Sequence, residues 1–205
     1  HHMTENGLGR RRQRDIIDRN AVADEISAAL AVSSVSEQRG KALAVLQVAL
    51  REGREEISRR LIAMPSSGRS SATDQAFLID QIIRIAYDFV TTSLFPVANR
   101  SAAEKIAVVA VGGYGRGEMA PHSDVDIAFI TPYKRTGWTE QVVEAMLYFL
   151  WDLGLKVGQS SRSIDETIKM ALEDLTIRTA LLEGRFVWGD REVYEEASIR
   201  FWNEV

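Results

Sequence analysis

The feature that most constrains the fold of this chain is an apolar run that ends in a glycine-rich turn. Residues 106–111 (Ile-Ala-Val-Val-Ala-Val) are rich in β-branched side chains and predict a buried β-strand. The following segment, residues 112–117 (Gly-Gly-Tyr-Gly-Arg-Gly), ends that strand, because glycine permits backbone conformations and close approaches that a Cβ prevents. Successive backbone N–H groups in such a turn bind anions. The pattern therefore predicts a strand followed by a phosphate-binding turn.

A second strand is predicted where the chain returns, at residues 124–130 (Asp-Val-Asp-Ile-Ala-Phe-Ile). Alternation along a strand places Asp124 and Asp126 on one face and the apolar residues around them on the other. Two carboxylates about 7 Å apart along a strand repel each other unless a cation lies between them. Such a site suits Mg²⁺ together with substrate phosphates, and Mn²⁺ is the alternative ion. The two motifs predict metal-dependent chemistry on a nucleotide.

Composition sets limits on the class of protein. The 205 residues carry a net charge of −4, which gives no general reason to expect a nucleic-acid partner. The absence of cysteine excludes disulfides and zinc–thiolate sites. His1, His2 and Met3 resemble the remnant of an affinity tag, which leaves His122 as the natural histidine. With no apolar stretch of membrane-spanning length and no secretory signal, we expect a soluble, cytoplasmic protein that contacts no membrane.

Three segments are predicted along the chain. Residues 1–20 are expected to be the tag remnant and a flexible basic arm, because four arginines lie within residues 10–14. Residues 21–100 are rich in strong helix formers and predict a helical region. Residues 101–205 alternate strands with helices and predict the catalytic core, so the expected fold class is α+β, with a small mixed sheet and many helices.

Helix bounds follow from periodicity, caps and breakers. The first helices are predicted at residues 21–31 and 41–64, followed by a loop from Pro65 to Ser71. The next helix is expected to be capped by Thr73 or Asp74 and to end near Phe95–Pro96. Later elements are a helix from Trp138 or Thr139 to Gly154, a strand at 155–163, a helix opened by a Ser163–Glu166 capping box, and helices at 174–183 and 190–205.

Two other glycine motifs do not fit the turn. A dinucleotide fingerprint needs a long helix directly after the glycines, and Pro121 prevents one. A P-loop needs a Gly-Lys-Ser/Thr end, which Gly115-Arg116-Gly117 lacks. A purely structural turn would explain the glycines but not the two carboxylates at the start of an apolar strand.

The combination of an apolar strand, Gly-Gly, roughly ten residues and Asp-x-Asp resembles the signature of the DNA polymerase β-type nucleotidyltransferases. The resemblance implies that Asp124 and Asp126 bind Mg²⁺ and that the glycine turn holds a nucleoside triphosphate. The residues it assigns to the nucleotide are Gly112, Gly113, Gly115, Arg116 and Ser123. Ser123 has the alternative role of capping the turn before the strand.

A closer resemblance extends from about residue 35 to the end of the chain. Residues 111–118, 123–126, 150–158, 174–179 and 182–190 are similar to the N-terminal catalytic domain of PII uridylyltransferase/uridylyl-removing enzymes of the alphaproteobacterial type. That resemblance implies transfer of UMP from UTP to a tyrosine hydroxyl of the nitrogen-signalling protein PII, with release of pyrophosphate. The family also carries a His-Asp hydrolase domain and ACT domains. We expect this chain to be a fragment without them.

The pattern departs from many relatives in one respect, because they supply a third carboxylate from a later strand. The strand predicted at 155–163 contains no Asp or Glu. Asp165, Glu166 and Asp174 are the candidates to approach from nearby, and each is equally suited to the start of a helix. The missing carboxylate leaves nucleotide binding without transfer open as a rival function. Adenylyl transfer to another protein or small-molecule hydroxyl also stays open, because the motif does not reveal which base is bound.

Overall fold

A computed structural model of the protein describes residues 13–97 and 101–205. The tag remnant and most of the predicted basic arm lie outside the described residues. The predicted division of the chain at residues 20 and 100 stays a prediction.

The described chain forms two compact units. One comprises the described residues through Ile85 together with Gly117–Pro121. The other comprises Ala86–Arg116 and His122–Val205. Both motifs singled out above, the glycine turn through Arg116 and the aspartate pair, therefore belong to the second unit.

The first part of the chain is helical, as predicted. Helices α1, α2 and α3 span Arg19–Ala31, Val35–Ala63 and Gly68–Phe89. The backbone N–H of Ala21 donates to the Asp18 carboxylate at 3.2 Å, which caps α1. A π-helical turn at Val90–Leu94 follows α3, so the helical region ends close to the predicted Phe95.

The start of α3 corrects the sequence prediction. The helix begins at Gly68, so the predicted loop to Ser71 and the caps at Thr73 and Asp74 are wrong. The Thr73 hydroxyl instead donates to the carbonyl oxygen of Arg69 within the helix. Asp74 accepts a 3.5 Å hydrogen bond from Arg60 of α2. The serine-rich segment thus forms the first turn of the helix despite its weak helix propensity.

Helices α2 and α3 approach each other closely at a glycine. A Cβ added to Gly53 would lie 2.6 Å from Cδ1 of Leu78 and 3.1 Å from the carbonyl oxygen of Ile16. Leu46 and Ile57, which lie on α2 with Gly53, are also buried. The absence of a side chain at position 53 is therefore part of the packing of this unit.

The second unit contains a four-stranded mixed sheet. Its strands are β1 (Ala107–Ala110), β2 (Val125–Thr131), β3 (Val157–Ser163) and β4 (Arg185–Gly189). They lie in the order β3-β2-β1-β4. β1 is antiparallel to β2 and β4, whereas β2 and β3 are parallel. The three predicted strands are confirmed.

β4 is a strand that the sequence pattern did not predict. It has five residues, begins with Arg185 and ends at Gly189, whose φ is +89°. Its pairing with β1 shifts register between Val108 and Val109. A short strand with a bulge, whose polar and apolar residues do not alternate, forms because it pairs with a neighbouring strand. The periodicity of hydrophobic residues in the sequence does not detect such a strand.

Five further helices lie within the described residues 101–205. They are α4 (Gly112–Gly115), α5 (Gly137–Asp152), α6 (Ile164–Glu173), α7 (Leu175–Leu182) and α8 (Arg191–Glu204). The capping box of Ser163 and Glu166 is confirmed at the start of α6. α5 begins one residue earlier than predicted, because Thr136 is its N-cap and Thr139 the other half of its capping box.

Both faces of the two central strands, β1 and β2, are largely buried. On one face, Val109 and Ile130 pack with Ile168 of α6 and Phe201 of α8. Phe129 on the opposite face is also fully buried. The α+β class with a small mixed sheet is confirmed. Within the described parts of the chain, every helix is too short or too polar to cross a membrane.

Candidate functional site

The glycine turn forms a single helical turn directly after β1. Gly112 adopts a φ of +60°, a left-handed conformation that favours glycine. The N–H of Val111 donates to the carbonyl oxygen of Asp126 at 3.0 Å, which ties the start of the turn to β2. The first N–H groups of a helical turn have no acceptor within that turn. Gly112 and Gly113 therefore lie where amides can face an anionic ligand.

Gly115 has a different role from the first two glycines. A Cβ at this position would lie 2.8 Å from the carbonyl oxygens of both Ala110 and Glu183. These are backbone atoms on two sides, so neither can move without shifting a strand or a helix end. Gly115 thus fixes the turn between β1 and the segment that leads into β4.

Arg185 of β4 binds the glycine turn through two hydrogen bonds. Its Nη2 donates to the carbonyl oxygen of Tyr114 at 3.2 Å and its Nε to that of Gly115 at 3.4 Å. The guanidinium carbon lies 5.3 Å from the centre of the Tyr114 ring, within cation–π range. Tyr114 is 1% exposed, so this ring packs inside the unit.

The two aspartates lie at the start of β2. Asp124 immediately precedes the strand and is exposed, whereas Asp126 is half-buried within it. Burial, and secondly the negative charge of Asp124, raise the pKa of the Asp126 carboxyl above its ordinary value. The pair is therefore close enough for the two charges to interact, and a cation between them would relieve both effects.

Asp126 lies between two glycines. A Cβ on Gly112 would be 3.1 Å from its Oδ2, and a Cβ on Gly158 would be 2.5 Å from its Oδ1. Gly158 is the register partner of Asp126 on β3. A glycine inside a strand indicates that another group approaches the backbone closely. Gly158 is visible in the sequence of the predicted strand, but the sequence pattern alone assigns it no function.

Arg116 follows the glycine turn and is engaged by an acidic side chain. Its Nη1 lies 2.6 Å from Oε2 of Glu183, at the end of α7, and both side chains are partly exposed. A phosphate group that binds Arg116 would therefore compete with Glu183. The pair is exposed enough for that exchange to cost little.

The loop before β2 brings Ser123 next to the aspartate pair. Ser123 is half-buried and directly precedes Asp124. His122 has a φ of +61°, which is uncommon for a residue with a side chain and marks a sharp turn into the strand. The side chain of His122 is exposed.

The three candidates for a third carboxylate have other partners. Asp165 pairs with Arg200 at 2.5 Å. Glu166 accepts from the N–H of Ser163 in the capping box of α6, and Asp174 caps α7. In residues 13–97 and 101–205, no three acidic or histidine side chains cluster as a metal site. The described site thus offers a pair of carboxylates.

The donor set at this pair fits a hard divalent cation. Carboxylate oxygens are the ligands that Mg²⁺ and Mn²⁺ prefer, and Mg²⁺ is commonly held by one or two carboxylates together with substrate phosphates. Burial and the charge of Asp124 both raise the pKa of Asp126, and a cation bound at the pair would compensate the negative charge. Asp124 and Asp126 are the residues that would hold the ion.

Comparisons with known proteins agree with this geometry. Residues 97–187 match the family model of the nucleotidyltransferase domain. The bifunctional uridylyltransferase/uridylyl-removing enzyme of Novosphingobium aromaticivorans is 61% identical over 193 residues, which cover 94% of this chain. The enzymes of that name from Erythrobacter litoralis and Rhodospirillum rubrum are 61% and 50% identical over 194 and 198 residues, or 95% of the chain in each case. The chain spans about a fifth (21%) of the length of each of these relatives.

Proposed function

Over residues 97–187 the chain belongs to the nucleotidyltransferase domain family, and from this premise we propose that it transfers UMP from UTP to a tyrosine hydroxyl of the protein PII. The observation that carries the proposal is the position of Asp126. Its carboxylate lies beside Asp124 and against the first glycine of the turn after β1. The proposed metal ligands and the proposed phosphate-binding turn are therefore neighbours. The relatives' name supports the choice of uridine as the base, and the family resemblance supports PII as the acceptor.

The proposed reaction is an in-line displacement. The tyrosine oxygen forms a bond to the α-phosphorus of UTP, the bond from that phosphorus to the bridging oxygen of the β-phosphate breaks, and pyrophosphate leaves. A divalent cation held by Asp124 and Asp126 supplies alignment and charge stabilisation at the transferring group. Mg²⁺ is the proposed ion, with Mn²⁺ as a substitute.

The glycine turn and Arg116 are proposed to hold the leaving group. The N–H groups at Gly112 and Gly113 would face phosphate oxygens, and Gly115 would keep the turn in place. Arg116 would exchange Glu183 for a phosphate and neutralise charge as pyrophosphate forms. Ser123 would donate its hydroxyl to a phosphate oxygen next to the aspartate pair.

The acceptor's chemistry suits a site with two carboxylates. A tyrosine hydroxyl has a pKa of about 10, far below that of an aliphatic hydroxyl, so it needs less help from a general base. The proton released on attack passes to solvent in this scheme. The proposal therefore requires no third carboxylate among the described residues.

The central experiment compares Asp126→Asn with Asp165→Asn. The first change removes a proposed metal ligand and is expected to lower UMP transfer at least about 100-fold, the scale of losing one essential electrostatic group. Asp165 is an exposed side chain that pairs with Arg200, so its variant should retain activity within about twofold. Full transfer by Asp126→Asn, with Mg²⁺ still required, would exclude the proposed site.

Base and acceptor choice need a separate experiment. Purified PII is incubated with Mg²⁺ and either labelled UTP or labelled ATP, and a PII variant without the modified tyrosine is the control. We expect label on PII from UTP alone. Labelling from ATP would favour the adenylyltransferase hypothesis, and Mg²⁺-dependent nucleotide binding with no covalent product would favour a regulatory module.

A further inference from the structure

Gly158 lies beside the carboxylate of Asp126 on the neighbouring strand. β2 and β3 are parallel, and their register pairs Asp126 with Gly158. Gly158 is exposed, so the protein interior does not itself demand a small residue there. Another constraint must account for a glycine in the interior of a strand, where it weakens β-structure.

The contacts of an ideal Cβ identify that constraint. At position 158 the added atom would lie 2.5 Å from Oδ1 and 3.7 Å from Cγ of Asp126, and these are the two contacts within 4 Å. Both atoms belong to a single carboxylate. An alanine at this position would therefore meet the aspartate side chain alone.

The same carboxylate lies next to the glycine turn on its other side. A Cβ on Gly112 would lie 3.1 Å from Oδ2, and the φ of +60° independently favours glycine there. One oxygen thus faces each glycine. Rotation away from a side chain at position 158 would carry the carboxylate out of its present orientation.

We propose that Gly158 is a positioning residue, which leaves the Asp126 carboxylate room to adopt the orientation that binds the divalent cation. The inference rests on the proposed function, because that function makes Asp126 a metal ligand. It also explains why β3 supplies no carboxylate at this register position. A side chain of any size would occupy the space of Asp126 Oδ1.

The first experiment measures metal binding directly. Mn²⁺ alone is titrated into the 205-residue chain and followed by water-proton relaxation enhancement. Gly158→Ala should raise the dissociation constant by about 10- to 100-fold, the usual cost of disturbing the groups that orient a ligand. Gly137→Ala is the matched control, because its added Cβ meets nothing within 4 Å, and it should bind as the wild type does.

A thermal double-mutant cycle separates positioning from a general effect on folding. The melting temperatures of Gly158→Ala, Asp126→Ala and the double variant are compared with that of the wild type. Since only Asp126 contacts the added Cβ, the change caused by Gly158→Ala should be more unfavourable by about 2–4 °C when Asp126 is present than when it is alanine. Equal changes in the two backgrounds would overturn the proposal.

The outcomes distinguish this inference from the proposed function. Mn²⁺ binding by the wild type that is lost in Asp126→Ala but unchanged in Gly158→Ala would overturn the role of Gly158 and leave the metal site intact. Wild-type binding that is unaffected by Asp126→Ala would overturn both. Loss in Gly158→Ala together with the coupled melting temperatures would support the proposal.

Discussion

At Asp126, the fold and the proposed metal binding favour opposite protonation states of the carboxyl. Burial and the nearby charge of Asp124 raise the pKa of its carboxyl, so the folded protein holds that proton more tightly than the unfolded chain does. Metal binding needs the ionised form. An acid whose pKa is higher in the folded than in the unfolded protein stabilises the fold when protonated, and that contribution is lost as pH rises through the raised pKa.

The pH dependence of stability should therefore change in Asp126→Asn. The amide carries no charge, so the variant should melt at a higher temperature than the wild type at pH 7. The difference should shrink towards zero below about pH 4, where the carboxyl is protonated in the folded and unfolded states alike. Mg²⁺ should raise the melting temperature of the wild type but not of the variant. If the melting temperatures of the two proteins changed with pH in parallel, the raised pKa of Asp126 would be contradicted.

At the scale of secondary-structure elements, β4 and the glycine turn act together through Arg185. The guanidinium donates to two carbonyl oxygens of the turn, at Tyr114 and Gly115. Hydrogen bonds from a charged group contribute about 1.5–3 kcal/mol when both partners are ordered. The orientation of the turn therefore depends on a strand that lies far away in the sequence.

Arg185→Ala should weaken nucleotide binding more than it slows transfer. Without the guanidinium the turn is less ordered, so the Michaelis constant for UTP should rise by about tenfold or more, the equivalent of roughly 1.4 kcal/mol. Arg191→Ala is the control, because it removes an arginine of the following helix α8 that packs on β4. The guanidinium carbon of Arg191 lies 4.5 Å from the centre of the Phe186 ring. A similar effect of both variants would indicate a general loss of packing.

The elements differ in how far local sequence predicted them. The caps at Ser163 and Asp174, and the three strands around the two motifs, are encoded within a few residues and were predicted correctly. β4 and the role of Gly158 depend on which strands become neighbours, which periodicity does not contain. The start of α3 at Gly68 likewise differs from what the propensity of the serine-rich segment indicates.

For the molecule as a whole, two glycines of α2 offer a test of packing in the helical unit. Gly53→Ala would press on Leu78 at 2.6 Å, whereas the added Cβ of Gly40→Ala meets nothing within 4 Å. Overpacking costs about 1–3 kcal/mol, and replacing glycine in a helix gains about 0.5–1 kcal/mol. Gly53→Ala should lower the melting temperature and Gly40→Ala should raise it, each by a few degrees.

Metal binding is the internal control of that experiment. Asp124 and Asp126 belong to the other unit, so neither glycine variant should change the affinity for Mn²⁺ while the protein stays folded. A lower melting temperature for both variants would show that the helix does not gain from alanine. An unchanged melting temperature for Gly53→Ala would show that the Leu78 side chain moves aside without loss of stability.

The hydrogen bond from Arg185 to Gly115 also bears on the order of folding, because it joins residues 70 positions apart. β1, the glycine turn and β2 lie within one short stretch and close a small loop, which is entropically cheap and fast. The arginine arrives only after three more helices and a parallel strand have been added. Backbone structure around the aspartates is thus expected early, whereas a turn rigid enough to hold a nucleotide is a late product of the folding pathway.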